Sequence, residues 1–162
     1  MVEAKTFYAI VQLRGDVVNG IVKFRQTFGS PVEIKAEITG LTKGKHGFHV
    51  HEFGNLTNGC VSAGAHYNPH GVEHAGPDDE VRHVGDLGNI EVTEEGVTHV
   101  VSITDRLIAI QGDLNNVIGR SVVVHADEDD LGRGGQSDSK TTGHAGARVA
   151  CGIIGQSAPF DF

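Results

Sequence analysis

Seven side chains in this sequence have the types and spacing to hold metal: His49, His51, His66, His74, His83, Asp86 and His125. Neutral imidazole is the commonest protein ligand for metal ions. A single histidine is ordinarily a solvated or hydrogen-bonded polar residue, and one H-x-H pair means little in a chain with 10 histidines. Clustering changes that. In His46-Gly47-Phe48-His49-Val50-His51, strand alternation puts His49 and His51 on one face and His46, Phe48 and Val50 on the other. Phe48 and Val50 read as the core side, so the two imidazoles are expected on the outer face. Three histidines and a carboxylate supplied by a flexible loop suit tetrahedral Zn2+. A second cluster made only of histidines suits copper. His70, His99 and His144 read as ordinary polar residues.

The elements that must position these donors are strands. Residues 32–39 alternate Val32, Ile34, Ala36 and Ile38 with Glu33, Lys35, Glu37 and Thr39, the period of a half-buried strand. Similar patterns predict strands at 6–13, 20–28 and 46–51, and again at 87–93, 98–105, 107–111, 120–125 and 147–154. No helical period of useful length appears, apart from one short turn expected near 129–131. Two segments lack any period. Residues 54–85 are dominated by Gly, Asn, Pro and His, and a structureless stretch of that length in a compact domain needs an anchor. Residues 126–145 are rich in Gly, Ser, Thr and Asp. Regularly spaced short strands with turn signals predict an all-β sandwich or barrel, here with two long functional loops.

Composition agrees. The 162 residues suit one domain, 1–162, without repeat or linker, and include 23 glycines and no tryptophan. With 13 basic against 21 acidic residues the net charge is −8, which argues against nucleic acid or an anionic membrane as partner. No apolar run is long enough for a membrane span. The first residues, with Glu3 and Lys5, do not form the apolar region of a signal peptide, so the expected location is cytoplasmic.

The segments HGFHVHEFG, NGCVSAGAHYNP, RHVGDLGN, VVVHADEDDLGRGG and GHAGARVACGIIG resemble copper/zinc superoxide dismutase, in that family's order and spacing, from about residue 6 to residue 155. The resemblance implies an eight-stranded antiparallel Greek-key β-barrel, copper and zinc as cofactors, and disproportionation of superoxide to dioxygen and hydrogen peroxide. Residue by residue it implies copper on His49, His51, His66 and His125, and zinc on His66, His74, His83 and Asp86. His66 would bridge both metals, and its imidazolate could carry one of the protons that peroxide formation consumes. Asp129 matches a carboxylate expected to join His49 to His74. For Asp127 and Glu128, in the same acidic run, the plainer reading is a solvated loop.

Arg148 matches an arginine at the mouth of the copper channel, where its planar fork would dock a small anion. The chain and superoxide are both negative, so a local positive funnel would be needed to draw the substrate in. Lys140 and Arg133 are the other cations of the second loop. Cys60 and Cys151, the 2 cysteines, match the family's disulfide. Closing a loop of roughly 90 residues is worth about 4–5 kcal/mol in the chain-entropy model, and it would supply the anchor that 54–85 needs. A homodimer, built from segments near Gly54, Ile118-Gly119 and the C-terminus, and loading by a copper chaperone are also implied.

This chain departs from many relatives at several points. Ser137 replaces a carboxylate in the second loop, and the loop lysine is displaced by about one position. His144 stands where Asn is usual, Asp113–Val117 is one residue longer, and Gln156 replaces an aliphatic residue. Two other readings, a copper chaperone and a metal-storage module, fit less well. The first would bring a further cysteine-bearing domain and a depleted copper site, and the second leaves Arg148 without a purpose.

Overall fold

The computed structural model describes residues 4–162. Strands β1 (Thr6–Arg14), β2 (Asn19–Thr27), β3 (Val32–Thr39) and β4 (Gly44–His51) lead into a long loop. That loop contains β5 (Thr57–Cys60) and a short 3-10 turn at Val61–Ala63. Then follow β6 (Asp86–Val92), β7 (His99–Asp105), β8 (Ser121–His125), a single helical turn α1 (Ser139–Thr142), β9 (Arg148–Ile153) and β10 (Gly155–Gln156). The antiparallel order is β6-β4-β8-β9-β1-β2-β3-β7, with β10 added to β1. Consecutive β3 and β4 are not neighbours, nor are β7 and β8, so the chain crosses the barrel ends as a Greek key does. Strands β6 and β7 end the path and are joined by a short turn, which leaves the eight-stranded barrel nearly closed.

The inward positions are those the alternation predicts. Val32, Ile34, Ala36 and Ile38 are buried and meet Val11, Val22, Phe24, Phe48, Val50, Val122 and Val124 in one core. Each such valine, isoleucine or phenylalanine contributes about 1.5–3 kcal/mol by leaving water. Strand β8 is buried along its whole length. Val122 and Val124 enter the barrel, while Val123 packs outward with Ala63 and Cys151 under the long loop.

Two local expectations differ from the structure. Residues 107–111 form no strand, and Ala109 makes only an isolated bridge to Asn116. Side-chain acceptors take the backbone donors a ladder would use: Asp105 Oδ1 accepts from the N–H of Leu107 and Ile108, and Gln26 Oε1 from that of Ile110. The helical turn expected near 129–131 is absent. Asp129 Oδ1 accepts the Leu131 N–H, and Leu131 has φ 58°, so the chain turns left-handed instead. The helical turn lies further on, at Ser139–Thr142.

The last residues, for which the sequence offered no reading, pack on the outside of the barrel. Phe160 meets Tyr8 edge-on at 5.1 Å, Lys23 lies 5.4 Å over Phe160, and Arg25 lies 4.5 Å over Phe162. Among the described residues no helix is long and apolar enough to cross a membrane.

Candidate metal centre

His49 and His51 leave β4 on the face away from the barrel core, but that face is covered. Both are buried, 0% and 1% exposed, beneath the two long loops. Cross-strand register assembles the rest. His49 stands opposite Asp86 on β6, His51 bridges to His66, and His125 stands opposite Arg148 on β9. Strand irregularities at Gly47/His49 and at Val124/His125 re-aim these side chains locally. The result is two donor clusters, each with its ligand atoms within 4.8 Å of one another: His49, His51, His66 and His125, and His66, His74, His83 and Asp86. His66 belongs to both.

For His49, His51 and His125 the hydrogen bonds to groups outside the cluster fix which ring nitrogen is offered inward, because those partners are acceptors only. His51 Nδ1–H donates to Gly64 O at 2.8 Å and His125 Nδ1–H to Gly146 O at 3.1 Å. Their Nε2 atoms therefore face each other, lone pair toward lone pair, at 3.4 Å. His49 Nε2–H donates to Asp129 Oδ2 at 2.7 Å, which turns its Nδ1 inward. His49 Nδ1 and His66 Nε2 are buried without a hydrogen-bond partner among the described residues. Four imidazole nitrogens thus converge with no proton among them, an arrangement that a cation makes favourable.

The second cluster has the dimensions of a tetrahedron. Asp86 Oδ1 lies 3.1, 2.8 and 3.1 Å from the Nδ1 atoms of His66, His74 and His83, and the Nδ1 atoms of His66 and His83 are 3.3 Å apart. Donors around a tetrahedral zinc ion stand about 3.3 Å from one another, given bonds near 2.0 Å. His83 Nε2–H donates to Val72 O at 3.0 Å, and His74 Nε2–H to Asp129 Oδ1 at 2.7 Å. Asp129, itself 1% exposed, joins a histidine of one cluster to a histidine of the other. Asp127 and Glu128 beside it are exposed.

Burial holds His49, His51, His66 and His125 neutral, with His125 lowered to about 4. Neutral imidazole is the form that binds metal. Burial would also lower His74, but its bonds to Asp129 and Asp86 outweigh that and raise it to about 9. Burial likewise disfavours ionised Asp86, yet the hydrogen bonds from His66, His74 and His83 hold it well below the usual carboxylate range.

Several supporting residues carry no sequence signal beyond their position. Asn89 clasps the backbone of Asp129, donating to its carbonyl at 2.9 Å and accepting its N–H at 2.7 Å. His46, placed inward by the strand period, sets its ring nitrogens against Thr42 O and His125 O. Arg82, buried at 2%, donates to Asp86 O and, at 2.5 Å, to Asp105 Oδ2. His70, His99 and His144 lie outside both clusters. Their partners are Asn115, Glu94 O and Asp138.

Cys60 and Cys151 are joined as a disulfide across 91 residues. Arg148 is half-buried, and its Nη1 donates to Cys60 O at 2.8 Å. It is close enough to help depress His51 and His125, and it makes no ion pair among the described residues. Lys140 and Arg133 do, with Glu73 at 3.5 Å and Asp79 at 2.6 Å.

Comparison with known proteins meets this geometry directly. The family model for copper/zinc superoxide dismutase matches residues 18–154. The chain belongs to that family. It is 57% identical over 150 residues to "Superoxide dismutase [Cu-Zn] 5" of Dictyostelium discoideum, covering 92% of this chain and 97% of that protein. It is 54% identical over 150 residues to "Superoxide dismutase [Cu-Zn]" of Onchocerca volvulus, covering 90% and 94%. The family's reaction is an oxidoreduction, superoxide dismutation, and its cofactors are copper and zinc, for which the two donor clusters are fitted in number and type.

Proposed function

We propose that the four-histidine cluster, His49, His51, His66 and His125, holds the copper of a superoxide dismutase, and that His66, His74, His83 and Asp86 hold its zinc. The observation that carries this assignment is His66, which presents Nε2 to one cluster and Nδ1 to the other. Copper held by these four histidines would supply one-electron chemistry between Cu(II) and Cu(I). The remaining work belongs to the protein. Two superoxides and two protons become one dioxygen and one hydrogen peroxide, and His66 Nε2 is placed to hold one of those protons and pass it on. Asp129 keeps His49 and His74 in the tautomers that leave Nδ1 free, and such outer hydrogen bonds orient ligands and tune the metal. Cys60 O fixes one arm of the Arg148 guanidinium, leaving the rest of the fork to receive a small anion beside His125. With Lys140 and Arg133 both paired, the attraction of superoxide to a chain of charge −8 falls mainly to Arg148.

Residues 1–162 act as one domain in this reading. The working form is a cytoplasmic homodimer, loaded by a copper chaperone. Supporting the dimer, Phe53 and Ile153 are 53% and 44% exposed. Gly54 packs against Gly119 and Ile153, so three of the positions near an expected interface adjoin.

The assignment is tested by superoxide disproportionation with metal-loaded protein at low and high salt. Turnover should be fast and salt-sensitive, slowed and less salt-sensitive in Arg148→Ala, and largely lost in His125→Ala. Full activity in His125→Ala would overturn the copper assignment. Unchanged salt dependence in Arg148→Ala would overturn the steering role.

A further inference from the structure

We propose that zinc exchanges with solvent by a route of its own, away from the copper side, and that the Glu73–Lys140 ion pair latches the mouth of that route. This rests on the zinc assignment above. A cavity of about 590 Å³ opens beside the first long loop. His66 and His83 line it, whereas His49, His51 and His125 do not. Val72, whose carbonyl holds the His83 Nε2–H at 3.0 Å, is also in its wall, with Glu73, Lys140 and Thr141. The cavity therefore leads from solvent to the outer edge of the His83 ring, whose far nitrogen is held by a backbone carbonyl and not by Asp129. Swinging that ring outward would break its Nε2–H bond to the Val72 carbonyl and withdraw its Nδ1 from Asp86 and from a bound zinc ion, opening the donor cluster on that side.

Lys140 spans the two loops twice at this point. Its carbonyl accepts the His74 N–H at 2.9 Å, and its Nζ lies 3.5 Å from Glu73 Oε2. Both side chains are well exposed, 60% and 73%, so the pair is weak and opens readily. That suits control of an exchange rate better than bracing a fold. A second pair, Arg133–Asp79 at 2.6 Å, joins the same loops but lies outside the cavity, and so provides an internal comparison.

The experiment follows zinc release from the fully loaded enzyme into excess chromogenic chelator, with bound zinc per chain measured at the start. Lys140→Ala and Glu73→Gln should each release zinc up to about fivefold faster, the size of one exposed ion pair. The double variant should be no faster than either single one, and Arg133→Ala should keep the parental rate. High salt should bring the parent to the variants' rate while leaving the variants unchanged. No acceleration, additive acceleration, or equal acceleration by Arg133→Ala would each overturn the latch. His83→Ala separates the two claims. If it loads zinc poorly while Lys140→Ala releases zinc at the parental rate, the latch fails and the ligand assignment stands. If it binds zinc as the parent does, the assignment fails and the latch with it.

Discussion

Adding a single methyl group at Gly143 should loosen zinc without replacing a ligand. A Cβ there would overlap Asp129 Oδ1 outright and lie 2.5 Å from His74 Nε2, and Gly143 has φ 69°, in the left-handed region. The conformational cost of Gly143→Ala alone is about 1 kcal/mol. The steric cost is larger in consequence. Asp129 must retreat by roughly 1 Å to regain van der Waals contact, and its bonds to His49 and His74 are only 2.7 Å long. A retreat of that size takes at least one of them beyond hydrogen-bonding range. A bond to a charged group contributes about 1.5–3 kcal/mol, and its loss frees His74 to place its proton on Nδ1, the nitrogen assigned to zinc. Perturbing such an outer contact lowers metal affinity roughly 10- to 100-fold. The assay is competition for zinc against a chelator of known affinity, with Asp129→Asn as a companion. The side-chain amide of that companion could accept from one imidazole but would present N–H to the other, so it should weaken zinc at least as much. Zinc affinity within twofold of the parent in Gly143→Ala would refute the reasoning, because the helical turn's end would then have yielded instead of Asp129.

Three further outcomes are expected. Cys151→Ser should lower unfolding stability by up to about 4–5 kcal/mol, measured by denaturant titration of the metal-free protein, and should slow turnover because the carbonyl that holds Arg148 is no longer tethered; an unchanged midpoint would exclude the tether. Ile153→Glu puts a charge on an exposed apolar side chain beside Gly54 and should yield a monomer by sedimentation, with a dimer of parental affinity arguing against that surface as the interface. Phe160→Ala removes the ring between Tyr8 and Lys23, and should lower the melting temperature while speeding amide exchange at β10 and not at β4. Equal exchange at both strands would mean the tail covers the barrel without holding β10.

The donors themselves were legible in the sequence because chemistry limits which side chains bind metal, and strand alternation limits where they point. The same alternation gave the barrel wall: Val32, Ile34, Ala36 and Ile38 are buried because a period of two leaves them no other face. The boundaries near 107–111 and 129–131 were not legible. There, single carboxylates and an amide capture backbone N–H groups, and no periodic pattern records a competition between side chain and ladder.

Residue types and their spacing were enough for the candidate donors, the strand periods and, through long motifs, the family. Tertiary structure alone decided what those residues do to one another. His49 and His51 point away from the core, yet they are buried because loops remote in sequence fold over them. Which ring nitrogen each histidine offers depends on acceptors such as Gly64 O, Gly146 O and Asp129, some of them as far as 80 residues away in the chain. Lys140 became a partner of Glu73, while Arg148 makes no ion pair among the described residues and donates to Cys60 O. Residue type sets the chemistry available, but protonation, tautomer and pairing are set by neighbours, and neighbours are chosen by the fold.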